Sequence, residues 1–155
     1  MKTNRYHQQH LNWLSASEGV RQFLVSQGIS PGSRIALRNM NPTTLIAWFW
    51  GIARHRCTAV LLSDRDPDSV ISQRCQQVNA QYIFSHLPVA ATSIERSPVD
   101  DTRIAVILFT SGSTSTPKAV AHSLHSLKSN ALASNQNIPL LRTDIWLLSL
   151  SLWHV

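Results

Sequence analysis

One stretch limits what this chain can become. Ile104-Ala105-Val106-Ile107-Leu108-Phe109 is an unbroken apolar run, β-branched and aromatic, with no charge. A run of that kind reads as a strand buried on both faces. It breaks off into Thr110-Ser111-Gly112-Ser113-Thr114-Ser115-Thr116, seven consecutive small residues of which six carry hydroxyls. That segment is too polar for a core and too short for a linker. Pro117 closes it, Lys118 follows, and Ala119-Val120-Ala121 is apolar again.

The chemistry such a loop suggests is polyphosphate binding. Small side chains let backbone N–H groups approach an anion, hydroxyls add donors, and a lysine adds a mobile point charge. Gly112 can supply a turn conformation with φ > 0. Ser, Thr, Gly and Pro are also ordinary surface-turn residues, so composition leaves a plain loop equally open. A Walker A loop is excluded by spacing, because Lys118 follows a proline and precedes Ala119.

The rest of the chain supports an α/β body. At 155 residues it can bury a real core. Charged residues make up 14%, against about a quarter in typical soluble domains. The 43% of hydrophobic residues argues against disorder. The formal charge of +6 fits an anionic ligand. Its Lys and Arg residues are scattered, and no nucleic-acid module accompanies them, so nucleic-acid binding is not expected. No apolar run approaches the ~20 residues of a membrane span. The polar start Met1-Lys2-Thr3-Asn4-Arg5 lacks a signal-peptide core. A cytoplasmic protein is expected, with Cys57 and Cys75 as reduced thiols. The histidines are dispersed, and no metal ligands are assigned.

In chain order, Ser15-Ala16-Ser17-Glu18 fits a capping box opening a first helix, with Val20, Phe23 and Leu24 on one face and Gly28 as its C-terminal stop. Arg34–Leu37 reads as a strand. Asn41-Pro42 starts a second helix, with Leu45, Trp48, Phe49 and Ile52 at helical spacing. Thr58–Leu62 is a second strand. Asp66-Pro67 repeats the cap-plus-proline signal for a helix reaching about Val78, and Gln81–Phe84 is a further short strand. Residues 86–102 lack a sustained period. After the central strand and loop, Lys118–His122 continues as a strand, and Ser123 caps a helix carrying Leu124, Leu127 and Ala131. Asp144–Val155 reads as a last apolar strand. Strands alternating with helices imply an α/β fold, a mainly parallel sheet with covering helices.

The order Thr110-Ser111-Gly112-Ser113-Thr114-Ser115-Thr116-Pro117-Lys118 is more specific than its composition. It resembles the signature loop of the adenylate-forming superfamily: acyl- and aryl-CoA ligases, luciferases and peptide-synthetase adenylation domains. That loop usually reads Thr-Ser-Gly-Ser-Thr-Gly-x-Pro-Lys, and Ser115 here replaces its second glycine. Trp146-Leu147-Leu148-Ser149-Leu150-Ser151-Leu152-Trp153-His154 is similar to the family's segment ending in aromatic-His, with Ser151 in place of the usual proline. Arg34–Trp48 is similar to its upstream strand–helix unit. Leu37-Arg38, Leu45–Trp48, Pro117–Ser123 and Trp146–Leu150 most resemble the o-succinylbenzoate–CoA ligases of menaquinone biosynthesis. The fold so implied is part of the large N-terminal domain of an adenylate-forming enzyme, spanning residues 1–155.

That resemblance implies a two-step ligation with ATP, Mg²⁺ and CoA as co-substrates. A carboxylic acid would be activated as an acyl-adenylate and passed to the CoA thiol. Thr110, Ser111, Gly112, Ser113, Thr114, Ser115 and Lys118 would hold the phosphates, and His154 would line the carboxylate and adenylate pocket beside Trp153. Family members continue beyond this segment with the adenine, ribose and magnesium sites and a mobile C-terminal domain. The resemblance therefore implies an N-terminal fragment, inactive alone, with a complementing C-terminal fragment as one conceivable partner. The alternatives are a free-standing nucleotide-binding module and a degenerate remnant of such a ligase.

Overall fold

Four short apolar segments make the parallel part of one sheet, and the computed structural model shows how each is covered. It describes residues 3–88, 91, 98–110, 117–141, 143–144 and 148–153, with backbone alone for 3–12. The elements run α1 (Thr3–Ser26), β1 (Arg34–Leu37), α2 (Pro42–Arg54), β2 (Thr58–Leu61), α3 (Asp68–Gln77), β3 (Tyr82–Phe84), β4 (Ile104–Thr110), β5 (Lys118–Ser123) and α4 (Leu124–Asn137). The sheet order is β3-β1-β2-β4-β5. The first four strands pair in parallel, and β5 is an antiparallel edge strand on β4.

Side-chain alternation along these strands builds two cores. Ile35, Leu37, Ala59, Leu61 and Val106 point to one face, where Val20 and Leu24 of α1 and Leu45, Trp48 and Ile52 of α2 cover them. Ala36, Val60, Ile107 and Phe109 point to the other, against Ile71 of α3 and Val78 just after it. With period-two geometry, consecutive residues serve opposite layers, so an uninterrupted apolar run is what a doubly covered strand requires. Trp48 is fully buried. It stacks on Phe84 at 4.7 Å and meets Phe23 edge-on at 6.1 Å. Its indole Nε1 donates to the His86 carbonyl at 2.9 Å.

Several helix ends follow their local signals. Asn41 accepts from the Thr44 amide at 3.0 Å, with Pro42 in the first turn. Ser123 caps α4 through the Ser126 amide at 3.1 Å. Gly28 sits at φ 66 after α1. The Ile29 amide bonds the Leu24 carbonyl and the Gly28 amide bonds that of Val25, a Schellman closure.

Other expectations are corrected. Ser15 does not open α1, which begins at Thr3 and runs through Ser15 and Glu18. With no proline or glycine before Gly19, nothing interrupts the helix. Ser15 Oγ instead donates to the Ala91 carbonyl at 2.6 Å. Asp66 does not cap α3, whose N-cap is Pro67 with no side-chain bond. Asp66 pairs with Arg74. No residue of α4 is buried, and of its apolar residues Leu127 packs partly against the first core. In the expected last strand, the described residues 148–153 are irregular. There Leu152 and Trp153 add side-chain packing to the first core without joining the ladder.

Candidate functional site

The hydroxyl-rich connection springs from the carboxyl end of β4. Among parallel strands this is the end where ligands bind in open α/β sheets. Residues 111–116 and His154 lie outside the described residues, so the expectations for Ser111, Gly112, Ser113, Thr114, Ser115 and His154 fall there. The flanks are described. Thr110 pairs with Lys118 across the β4–β5 ladder, and Phe109 with Ala119. The Thr110 hydroxyl donates to the Lys118 carbonyl at 3.5 Å. Lys118 is exposed and is the first residue of β5. The strand pairing therefore brings together Thr110 and Lys118, two of the residues expected to act together.

Two arginines that are not among the expected site residues stand near the carboxyl ends of the strands. Arg74 of α3 lies over the Phe109 ring, its guanidinium carbon 5.0 Å from the centroid, and pairs with Asp66. Arg38, directly after β1, donates to Asp68 at 2.6 Å and to the Asp66 carbonyl at 2.8 Å. Asp64 accepts the Asn39 amide at 2.6 Å, and Asn39 adopts φ 55, a left-handed conformation Asn tolerates. The local signal was the acidic density of Asp64-Arg65-Asp66-Pro67-Asp68 directly after β2.

These connections frame a crevice. The chain leaves β1 for the helix on one face and β2 for the helix on the other, which makes the gap between their carboxyl ends a topological switch point. An open cavity of about 450 Å³ lies there, lined by Asn39, Met40, Asn41, Pro42, Leu45, Asp64, Ser151, Leu152 and Trp153. Trp153, expected beside the carboxylate pocket, therefore lines a polar–apolar cleft. Among the described residues no group of three His, Cys, Asp or Glu side chains is placed to hold a metal ion. No helix among them is long and apolar enough to cross a membrane.

The family profile of the AMP-binding enzymes matches residues 87–155, the stretch that contains the loop and the aromatic-His segment. The chain is also 30% identical to the 2-succinylbenzoate–CoA ligase of Escherichia coli K12 over 169 aligned residues, covering 97% of this chain and 37% of the ligase. Among solved structures, the fold is that of the o-succinylbenzoate coenzyme A synthetase of Bacillus subtilis. Its complex with ATP and magnesium ion superposes with a TM-score of 0.81 at 20% identity, over 92% of this chain and 34% of the synthetase. Its complex with AMP gives 0.77 at 18% identity, over 92% of this chain and 43% of that one. The α/β architecture is thus that of the N-terminal region of an AMP-binding enzyme, and the chain spans well under half the length of these relatives.

Proposed function

We propose that this chain supplies the phosphate-loop region of an AMP-forming acid–CoA ligase. In the whole ligase a carboxylate attacks the α-phosphorus of ATP and expels pyrophosphate, leaving an acyl-adenylate. The thiol of CoA then attacks the acyl carbon and expels AMP. Thr110, Ser111, Gly112, Ser113, Thr114, Ser115 and Lys118 hold the β- and γ-phosphates. They contribute by positioning and by neutralising charge. Magnesium arrives as part of the nucleotide substrate. His154 is assigned to the carboxylate and adenylate pocket beside Trp153. The similarity to 2-succinylbenzoate–CoA ligase makes o-succinylbenzoate the acid of choice. The observation that carries the reading is the pairing of Thr110 with Lys118 at the carboxyl end of β4. It sets a lysine opposite the start of a hydroxyl-rich connection, within the stretch the family profile matches.

The chain spans 37% of the Escherichia coli ligase, so turnover is proposed for the whole enzyme and nucleotide binding for the chain itself. A thermal melt of the 155-residue chain with and without excess ATP·Mg²⁺ is the test. Saturation at about a hundred times Kd adds ~2.7 kcal/mol, which raises Tm by roughly 5–10 °C in a chain of this size. Lys118→Ala should abolish the rise while leaving the ligand-free melt in place. A wild-type melt indifferent to ATP·Mg²⁺ would overturn the reading.

A further inference from the structure

Helix α3 touches both described flanks of the 110–117 connection. From one side, the Arg74 guanidinium lies 5.0 Å over the ring of Phe109, the residue directly before Thr110. From the other, Gln77 Nε2 donates to the Pro117 carbonyl at 3.3 Å, directly before Lys118. Phe109 is buried in the core that α3 covers, through Ile71 and the following Val78. Arg74 is itself held by Asp66 in the turn before the helix. Its Nε is buried and has no hydrogen-bond partner among the described residues. One rigid helix thus bears on the last buried side chain of β4 and on the backbone from which β5 starts.

We propose that Arg74 and Gln77 are positioning residues for the phosphate loop, bracing its two ends at a fixed separation. The inference rests on the phosphate-binding reading above and adds residues that the loop motif does not contain. A loop that grips an anion through backbone N–H groups works only when those groups are aligned beforehand. The β4–β5 ladder fixes how Thr110 and Lys118 face each other. The α3 contacts tie the residues next to that pair, Phe109 and Pro117, to one helix. Arg74 is paired with Asp66, so it acts by stacking and not as a free phosphate-binding charge. Gln77 is exposed and carries no core packing, which makes it the cleaner probe.

The test uses the 155-residue chain with Gln77→Glu, Arg74→Ala and Arg74→Lys, and with Lys118→Ala as the control for the phosphate reading. Glutamate at position 77 presents an oxygen to the Pro117 carbonyl in place of a donor. Two quantities are read: hydrogen exchange at the Thr110, Lys118 and Ala119 amides without nucleotide, and the ratio of ATP·Mg²⁺ to AMP affinity. Gln77→Glu and Arg74→Ala should speed exchange about tenfold at these amides. They should weaken ATP·Mg²⁺ several-fold with AMP unchanged, and Arg74→Lys should recover most of the loss. A purely structural role would lower the melt without moving the ATP-to-AMP ratio. Unchanged exchange in Gln77→Glu, or faster exchange with an unchanged ratio, overturns the bracing. If Lys118→Ala keeps full ATP affinity, the phosphate reading itself fails, whatever the exchange data show. Should Arg74→Ala not fold, Gln77→Glu alone decides.

Discussion

Gly51 of α2 lies directly against Val20 of α1. A Cβ placed on Gly51 would stand 2.5 Å from Val20 Cβ and 2.6 Å from the Ser17 carbonyl oxygen. The two helices meet backbone to side chain at this point, and the approach seats Trp48 and Ile52 over the sheet. One contacting atom is backbone, so the helices must separate to admit a methyl group. Overpacking of this kind costs about 1–3 kcal/mol. Gly51→Ala should lower the midpoint of urea unfolding accordingly, and an unchanged midpoint would mean that α1 sits elsewhere in solution.

Glu18 is fully buried and answers two arginines. Its Oε1 accepts from Arg21 at 2.6 and 2.9 Å, and its Oε2 faces Arg54 Nη2 at 3.2 Å. The pair to Arg54 ties α1 to the end of α2. Removing one partner of a buried ion pair leaves the other uncompensated, at about 3–5 kcal/mol. Glu18→Gln should therefore destabilise strongly, near the lower end of that range because the amide oxygen still accepts a hydrogen bond. Denaturant titration checks it.

These two residues show where the sequence was legible and where it was not. Ser15-x-x-Glu18 has the spacing of a capping box, but that spacing also occurs inside any helix. Arg21 at i+3 lies within local reach of Glu18, but the tie to Arg54, far along the chain, is carried by no local pattern. Asn41-Pro42, Ser123 and Gly28 were legible because a cap is satisfied within a few residues. The run Ile104–Phe109 was legible because double burial leaves an unbroken apolar stretch. At the candidate site the loop and Lys118 stood out by residue order. The stacking of Arg74 on Phe109 joins distant segments and leaves no trace in spacing. The apolar segment toward Trp153 reads as a strand because hydrophobicity marks burial, yet of its described residues only Leu152 and Trp153 are partly buried, while Leu148 and Leu150 are exposed.

Trp48 combines an indole hydrogen bond with ring stacking on Phe84. Trp48→Ala should cost about 3–5 kcal/mol through the cavity it opens. Trp48→Phe should cost less, retaining the stack while leaving the His86 carbonyl without its donor. Calorimetric Tm values ranked wild type, then Phe, then Ala would bear this out, and equal Phe and Ala values would contradict it.

Cys57 gives a pH signature. Burial pushes its thiol above the ordinary range, partly offset by the backbone of Ser33 and Gly32 and by Arg103. The folded chain therefore keeps the proton longer than the unfolded chain does. Stability is unaffected below the ordinary thiol pKa of about 8.5 and falls as pH rises past it. Melts across that window should show an alkaline decline that is shallower in Cys57→Ala. An identical decline in the variant would remove Cys57 as its source.

The pairing of β4 has a consequence for how the chain assembles. On one edge β4 meets β2, a strand from a distant part of the sequence; on the other it meets β5, which follows almost at once. A hairpin closes in about 1–10 μs, whereas parallel pairing must first pay for a long chain closure. We expect the Thr110–Lys118 junction to form before the sheet that presents it, and pulse-labelled exchange during refolding reads that order. The flanks of the candidate loop would then belong to the earliest unit of the chain to take shape, and the remaining strands would dock onto a strand pair already formed.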